Sequence, residues 1–259
     1  MLFVLSPAKT LDLSPAPAEL PTTRPRFLKD TAELAGVAKR LSPADLGDLM
    51  GISDKLAELN RDRFRSFKPR SSEGVQAALA FAGDVYRGLD ARSLDADALA
   101  WAQDHLRILS GLYGVLRPMD VIQPYRLEMG VSLRTERGAT LYDFWGDRVS
   151  RALNADAKAH ADRTLINLAS QEYFGAVDAR ALKLRLVNVV FREEKDGTSR
   201  VLAFFAKRAR GMMARFAIDG RVEQAEGLKA FNTAGYRYDA AASTEAEWVF
   251  SRPQPEPAT

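Results

Sequence analysis

The chain has 259 residues, 46% hydrophobic and 27% charged, with 37 basic and 34 acidic side chains and a net charge of +3. That is enough apolar material to bury a core, which excludes wholesale disorder, and no apolar run approaches the roughly twenty residues of a membrane span. No cysteine is present and His105 and His160 are the two histidines, so disulfides, thiolate metal sites and cysteine-held clusters are excluded, and neither a metal nor another cofactor is expected.

The apolar start, residues 2–5, precedes the first basic residue, Lys9, and ends at Ser6-Pro7. That order does not suit a secretory signal, so a buried strand in a cytoplasmic chain is expected. Residues 14–25 hold Pro15, Pro17, Pro21 and Pro25 and read as a loop or extended crossing. Phe27, Leu28, Thr31, Leu34, Ala38 and Leu41 recur at helical spacing. Ser42-Pro43 then caps a second helix that stops at Gly51, and Ser53 caps a third running toward Phe67. Residues 95–109 and 143–161 read as two further helices. Strands are expected at 164–168, 236–238 and 248–250. Residues 184–191 and 200–205 flank Lys195-Asp196-Gly197, a hairpin signal, because Asp-Gly suits a tight primed turn. A basic helix is expected over 207–218 and a frayed, disordered tail over 251–259. Helices fill the first half and strands mix into the second without regular alternation, which predicts a single α+β domain over 1–259.

Charge is segregated along the chain. Residues 61–70 carry a local +4, residues 180–215 a local +7 and residues 216–259 a local −3. Such fields suit an anion-binding groove, although solvated surface faces give the same pattern. The phosphate-loop, metal-helix and dinucleotide signatures are missing. The most informative stretch is residues 106–130, LRILSGLYGVLRPMDVIQPYRLEMG. A helix entering Ser110-Gly111-Leu112-Tyr113-Gly114, with a short helix after it, would make a helix-hairpin-helix over about 98–123. Its amides would grip phosphate, with Arg107, Arg117 and Arg126 adding charge. The plain alternative is a glycine turn between packed elements, with Tyr113 in the core. Lys207, Arg208, Arg210 and Arg215 give a second basic element, either a cationic face for phosphate or a solvated amphipathic surface. Lys9, just past a strand end, is a third candidate. Tyr125 beside Arg126 could stack on a base or pack in the core. Glu128, Asp143 and Glu172 could supply acid–base chemistry.

Several segments carry a family resemblance: MLFVLSPAKTLD, SDKLAELNRDRF, FAGDVYRGLDA, ILSGLYGVLRPMDVIQPYRLEMG, LYDFWGD, INLASQEYF, FFAKRARGMMARF and FNTAGYRYD. In this order they resemble the peroxide-stress protein YaaA family. That resemblance implies a cytosolic protein that protects bacteria from hydrogen peroxide by limiting unincorporated iron. It also implies DNA binding, an unusual α+β fold with a helix-hairpin-helix and a positively charged cleft, and no settled enzymatic activity. The helix-hairpin-helix falls on the segment around 110–118.

The leading expectation is a monomeric DNA-binding protein with little sequence specificity. DNA contacts are expected from Lys9, Ser110, Gly111, Leu112, Tyr113, Gly114, Arg117, Tyr125, Arg126, Lys207, Arg208, Arg210 and Arg215. No membrane is expected as a partner; a protein partner in iron homeostasis is. The alternative is an enzyme on a nucleotide, nucleobase or nucleic acid, with Lys9, Arg117 and Arg126 holding phosphate and Glu128 or Asp143 moving protons.

Overall fold

Four consecutive apolar residues, Leu2–Leu5 (β1), are wholly buried at the centre of a mixed sheet. An apolar run without alternation suits a strand covered on both faces. The computed structural model describes residues 1–16 and 20–256. Part of the proline-rich loop, 17–19, and the end of the tail, 257–259, lie outside the described residues.

The other strands of the main sheet are Leu106–Ser110 (β2), Gly114–Leu116 (β3), Thr164–Leu168 (β4), Arg185–Lys195 (β5), Thr198–Arg200 (β6), Arg237–Asp239 (β7) and Glu247–Pro253 (β8). Their spatial order is β7-β8-β5-β4-β1-β2-β3, with β6 paired to β5. Strands β8, β5, β4, β1 and β2 run parallel, whereas β3, β6 and β7 join antiparallel. The longer helices are Leu28–Ala38 (α1), Pro43–Met50 (α2), Asp54–Ser66 (α3), Asp84–Leu89 (α4), Ala96–His105 (α5), Arg148–Asp156 (α6) and Ala203–Asp219 (α7). Helix α7 packs on β1, β4 and β5, and one hydrophobic cluster runs from Met1 to Phe250. Helices with a mixed sheet on one core are consistent with α+β. Among the described residues, no helix is long and apolar enough to cross a membrane.

Local signals placed several elements well. Ser42 and Asp45 form a reciprocal capping box with Pro43 at the first helical position, and Gly51 ends α2 in the left-handed region at φ 59°. Asp196 and Gly197 take φ of 50° and 71°, the primed turn their sequence predicts between β5 and β6.

Other expectations are corrected. The segment 98–123 is not a helix-hairpin-helix. Helix α5 stops at His105 and the chain becomes β2, pairing Ile108 with Leu116 and Ser110 with Gly114. The apolar residues Leu106, Ile108 and Leu109 fit a helix face as well as a strand; pairing with β1 decides for the strand. A helix–turn–helix pair does occur earlier, where α2 and α3 pack together around the exposed turn at Gly51. The expected helix over 143–161 is broken at Gly146, φ 48°, into Leu141–Trp145 and α6. The strand expected over 200–205 stops at Arg200, because α7 already starts at Ala203. Residues 251–253 are not a frayed tail but the end of β8, paired with β5.

Candidate anion-binding cleft

The cleft opens where β1 and β4 end. Ligands gather at the carboxyl ends of parallel strands because the loops there diverge and leave a crevice. Ser6, the first residue past β1, accepts a hydrogen bond at Oγ from the Ser170 amide at 2.8 Å and donates to Ser170 Oγ at 3.3 Å. The Tyr86 hydroxyl donates to the Ser6 carbonyl at 3.0 Å. Thr10–Leu11 pairs antiparallel with Phe81–Ala82, which lays Lys9 beside Gly83 and Asp84.

Two glycines bring the cationic wall in. Helix α4 meets α7 backbone to backbone: a Cβ on Gly88 would overlap the Arg208 carbonyl, and one on Gly211 the Val85 carbonyl. This close approach lets Lys207 and Arg210 reach the cleft that Ser6, Lys9, Gly83, Ser170 and Tyr173 also line, a cavity of about 370 Å³. That volume is at the lower end of small-molecule pockets.

The charge balance of the wall is uneven. Glu128 is 7% exposed, and its Oε1 takes both Lys9, at 3.2 Å, and Arg126, at 2.9 Å. Its Oε2 is buried without a partner among the described residues. Among the described residues Arg210 has no carboxylate to offset its burial, and desolvation lowers its pKa from the ordinary guanidinium value. Its Nε is buried and unpartnered among the described residues. A half-buried guanidinium held this way is costly unless an anion completes it. Burial also pushes the Tyr173 phenol upward, so this hydroxyl stays protonated at neutral pH.

The remaining candidates divide. Lys9, Lys207, Arg210, Arg126 and Glu128 belong to the cleft or its first neighbours. Arg208 is exposed one step along α7. Ser110, Gly111, Leu112, Tyr113 and Gly114 are all buried. Ser110 Oγ accepts from the Tyr113 amide and bonds the Tyr125 hydroxyl at 2.6 Å; the Trp145 indole donates to the Gly111 carbonyl at 3.0 Å. Buried in this way, the turn does not present its backbone to an external phosphate as the expected hairpin grip requires; buried Tyr125 likewise packs instead of stacking on a base. Arg117 is neutralised by Asp120 at 2.9 Å, and Arg215 by Asp219 at 2.8 Å with a further bond to Ser93. Asp143 is a helix cap: its Oδ2 accepts from the Thr140 hydroxyl and amide, and these bonds lower its pKa. Acid–base chemistry in the cleft does not draw on it. Glu172 lines the cleft and accepts from the Gly130 amide at 3.1 Å.

Sequence reasoning missed Ser6, Ser170 and Tyr173. The available signal was a serine cap immediately after a predicted strand, in INLASQEYF, mirrored by the serine after β1.

Comparison with known proteins covers nearly the whole chain. A family model described as peroxide stress protein YaaA matches residues 1–242. A UPF0246 protein of Phenylobacterium zucineum is 63% identical over 257 residues, 99% of this chain and 97% of its own. One from Caulobacter vibrioides is 62% identical over 255 residues, 98% of this chain and 100% of its own. A third, from Dinoroseobacter shibae, is 56% identical over 263 residues, 100% of this chain and 97% of its own. With a model match over residues 1–242 and relatives at this identity, the chain belongs to the peroxide stress protein YaaA family, also called UPF0246.

Proposed function

We propose that the protein acts in the peroxide-stress response by binding nucleic-acid phosphate, with the main seat in the Lys9–Lys207–Arg210 cleft. The observation that carries this reading is Arg210, a half-buried guanidinium with no carboxylate among the described residues to offset it. The exposed turn at Gly51 between α2 and α3, followed by the basic residues of 61–70, offers a second place for backbone phosphates. Few side chains are poised to read base edges, so sequence specificity is low. Protection then comes from covering DNA against hydroxyl radical, and lower free iron is an effect transmitted through a partner in iron handling.

Affinity for a short duplex, measured across a salt series, tests this. Log affinity falls linearly with log salt, with a slope set by the phosphates neutralised. Arg208→Ala and Arg210→Ala weaken duplexes of different sequence about equally. An affinity indifferent to salt, or a loss confined to one sequence, contradicts the reading.

One observation favours a second reading, an enzyme acting on a nucleotide. Glu128 keeps an unpartnered buried oxygen next to two cations, as a proton acceptor beside a phosphate seat would. Under this reading a mononucleotide fills the cleft and is chemically altered.

A further inference from the structure

At the other end of β1, about 15 Å from the cleft by strand rise, the chain's two histidines meet. His105 closes α5 immediately before β2, so the parallel pairing of β2 with β1 sets it beside Met1. His160 follows α6 and stands with its ring 4.4 Å from that of His105. Glu223 reaches over from the segment after α7, its Oε1 3.6 Å from His105 Nε2. One donor atom from each of these residues falls within 4.8 Å of the others.

The surroundings orient the donors. His105 Nδ1 bonds the Met1 carbonyl at 3.0 Å, which leaves Nε2 free to face Glu223. The Trp101 indole stacks on the His105 ring at 3.8 Å and donates to Glu223 Oε1 at 3.0 Å. A ligating histidine whose second nitrogen is fixed by a carbonyl, beside a carboxylate held by its own donor, is the support that metal ligands require. The Met1 amine also lies beside this cluster and interacts with Glu223. Asp162, which also lies nearby, is engaged by Thr164 and the Ala225 amide.

We propose that His105, His160 and Glu223 form a binding site for a first-row divalent transition-metal cation. Two imidazoles and one carboxylate are the donor set used by mononuclear iron(II) sites, and zinc accepts it too. Three protein ligands leave positions open to water or to a small ligand. Metal–donor bonds of about 2.0–2.2 Å need the donors slightly closer than they stand. The exposed Glu223 side chain can close that gap, whereas buried His105 is fixed. The site is independent of the cleft, shares no residue with it and is not evident in the sequence, where the three ligands lie far apart.

The test is a cobalt(II) titration of the full chain after chelator treatment, read by visible absorption and by tryptophan fluorescence. The wild-type protein binds one equivalent, develops ligand-field absorption and loses part of its fluorescence. Zinc(II) reverses the absorption. His160→Gln and Glu223→Gln, both at accessible positions, melt like the wild type and bind cobalt at least tenfold more weakly. Arg210→Met leaves cobalt binding unchanged, which separates this site from the cleft. No saturable binding by the wild type, or wild-type affinity in both ligand variants, overturns the proposal.

Discussion

Gly211 stands so close to the Val85 carbonyl that no side chain fits between α7 and α4, and this contact fixes where Lys207 and Arg210 emerge into the cleft. Gly211→Ala therefore pries the helices apart. Overpacking of this kind costs about 1–3 kcal/mol, read as a lower denaturation midpoint with an unchanged slope. The variant also binds phosphate less well, because the cationic wall moves. Wild-type stability in Gly211→Ala would show that the helices do not meet here.

In the proposed phosphate seat, Arg210 would set stability against anion binding. Arg210→Met keeps the aliphatic stem and removes a half-buried charge that has no carboxylate partner among the described residues. The expected outcome is a chain more stable by about 1 kcal/mol that has lost anion binding. A large destabilisation in chemical denaturation would mean that Arg210 has a protein partner and is not waiting for a ligand.

The hairpin at 110–114 is structural. Trp145→Phe removes the indole N–H from the buried Gly111 carbonyl and costs about 1–3 kcal/mol. Gly114 adds a second constraint, since its φ is 70° and a Cβ there would sit 2.7 Å from the Trp145 ring. DNA affinity of folded Trp145→Phe stays at the wild-type value. Weakened DNA binding with unchanged stability would return the hairpin to the interface.

Acid sensitivity has a definite source in Asp156. Burial alone would raise this carboxyl, but Arg107 at 2.6 Å and Arg26 more than offset it, so the folded pKa lies below the ordinary value. A lowered carboxyl contributes stability above the unfolded value of about 3.9 and loses it as pH falls through the folded value. Asp156→Asn leaves Arg107, 5% exposed, without its counter-charge and costs about 3–5 kcal/mol at pH 7. Its stability then falls less steeply below pH 4 than that of the wild type, as denaturation at several pH values would show. Parallel curves would rule Asp156 out as the source.

Legibility in the sequence followed the range of the forces involved. The capping box at Ser42 and the Asp-Gly turn at 196–197 are set by neighbouring residues and could be read directly. The strand 106–110 could not, because its apolar residues suit either periodicity and its partner, Phe3–Leu5, lies a hundred residues away. The same limit hid the parallel centre of the sheet. Residue type was enough to nominate Lys9, Lys207 and Arg210. Type says nothing about pairing, however, so Arg117 and Arg215 looked equivalent to them although Asp120 and Asp219 neutralise both. The Ser6–Ser170 contact joins residues 164 apart in the chain, and the serine after each strand, the one local trace, does not reveal that the two meet.

Whether the cleft seats phosphate is tested most directly by titration calorimetry with adenosine 5′-monophosphate. Wild-type protein binds one equivalent, Lys207→Ala and Arg210→Met bind at least tenfold more weakly, and Arg215→Ala binds like the wild type. Absence of saturable heat from the wild type, or equal affinity in Arg210→Met, would contradict the assignment.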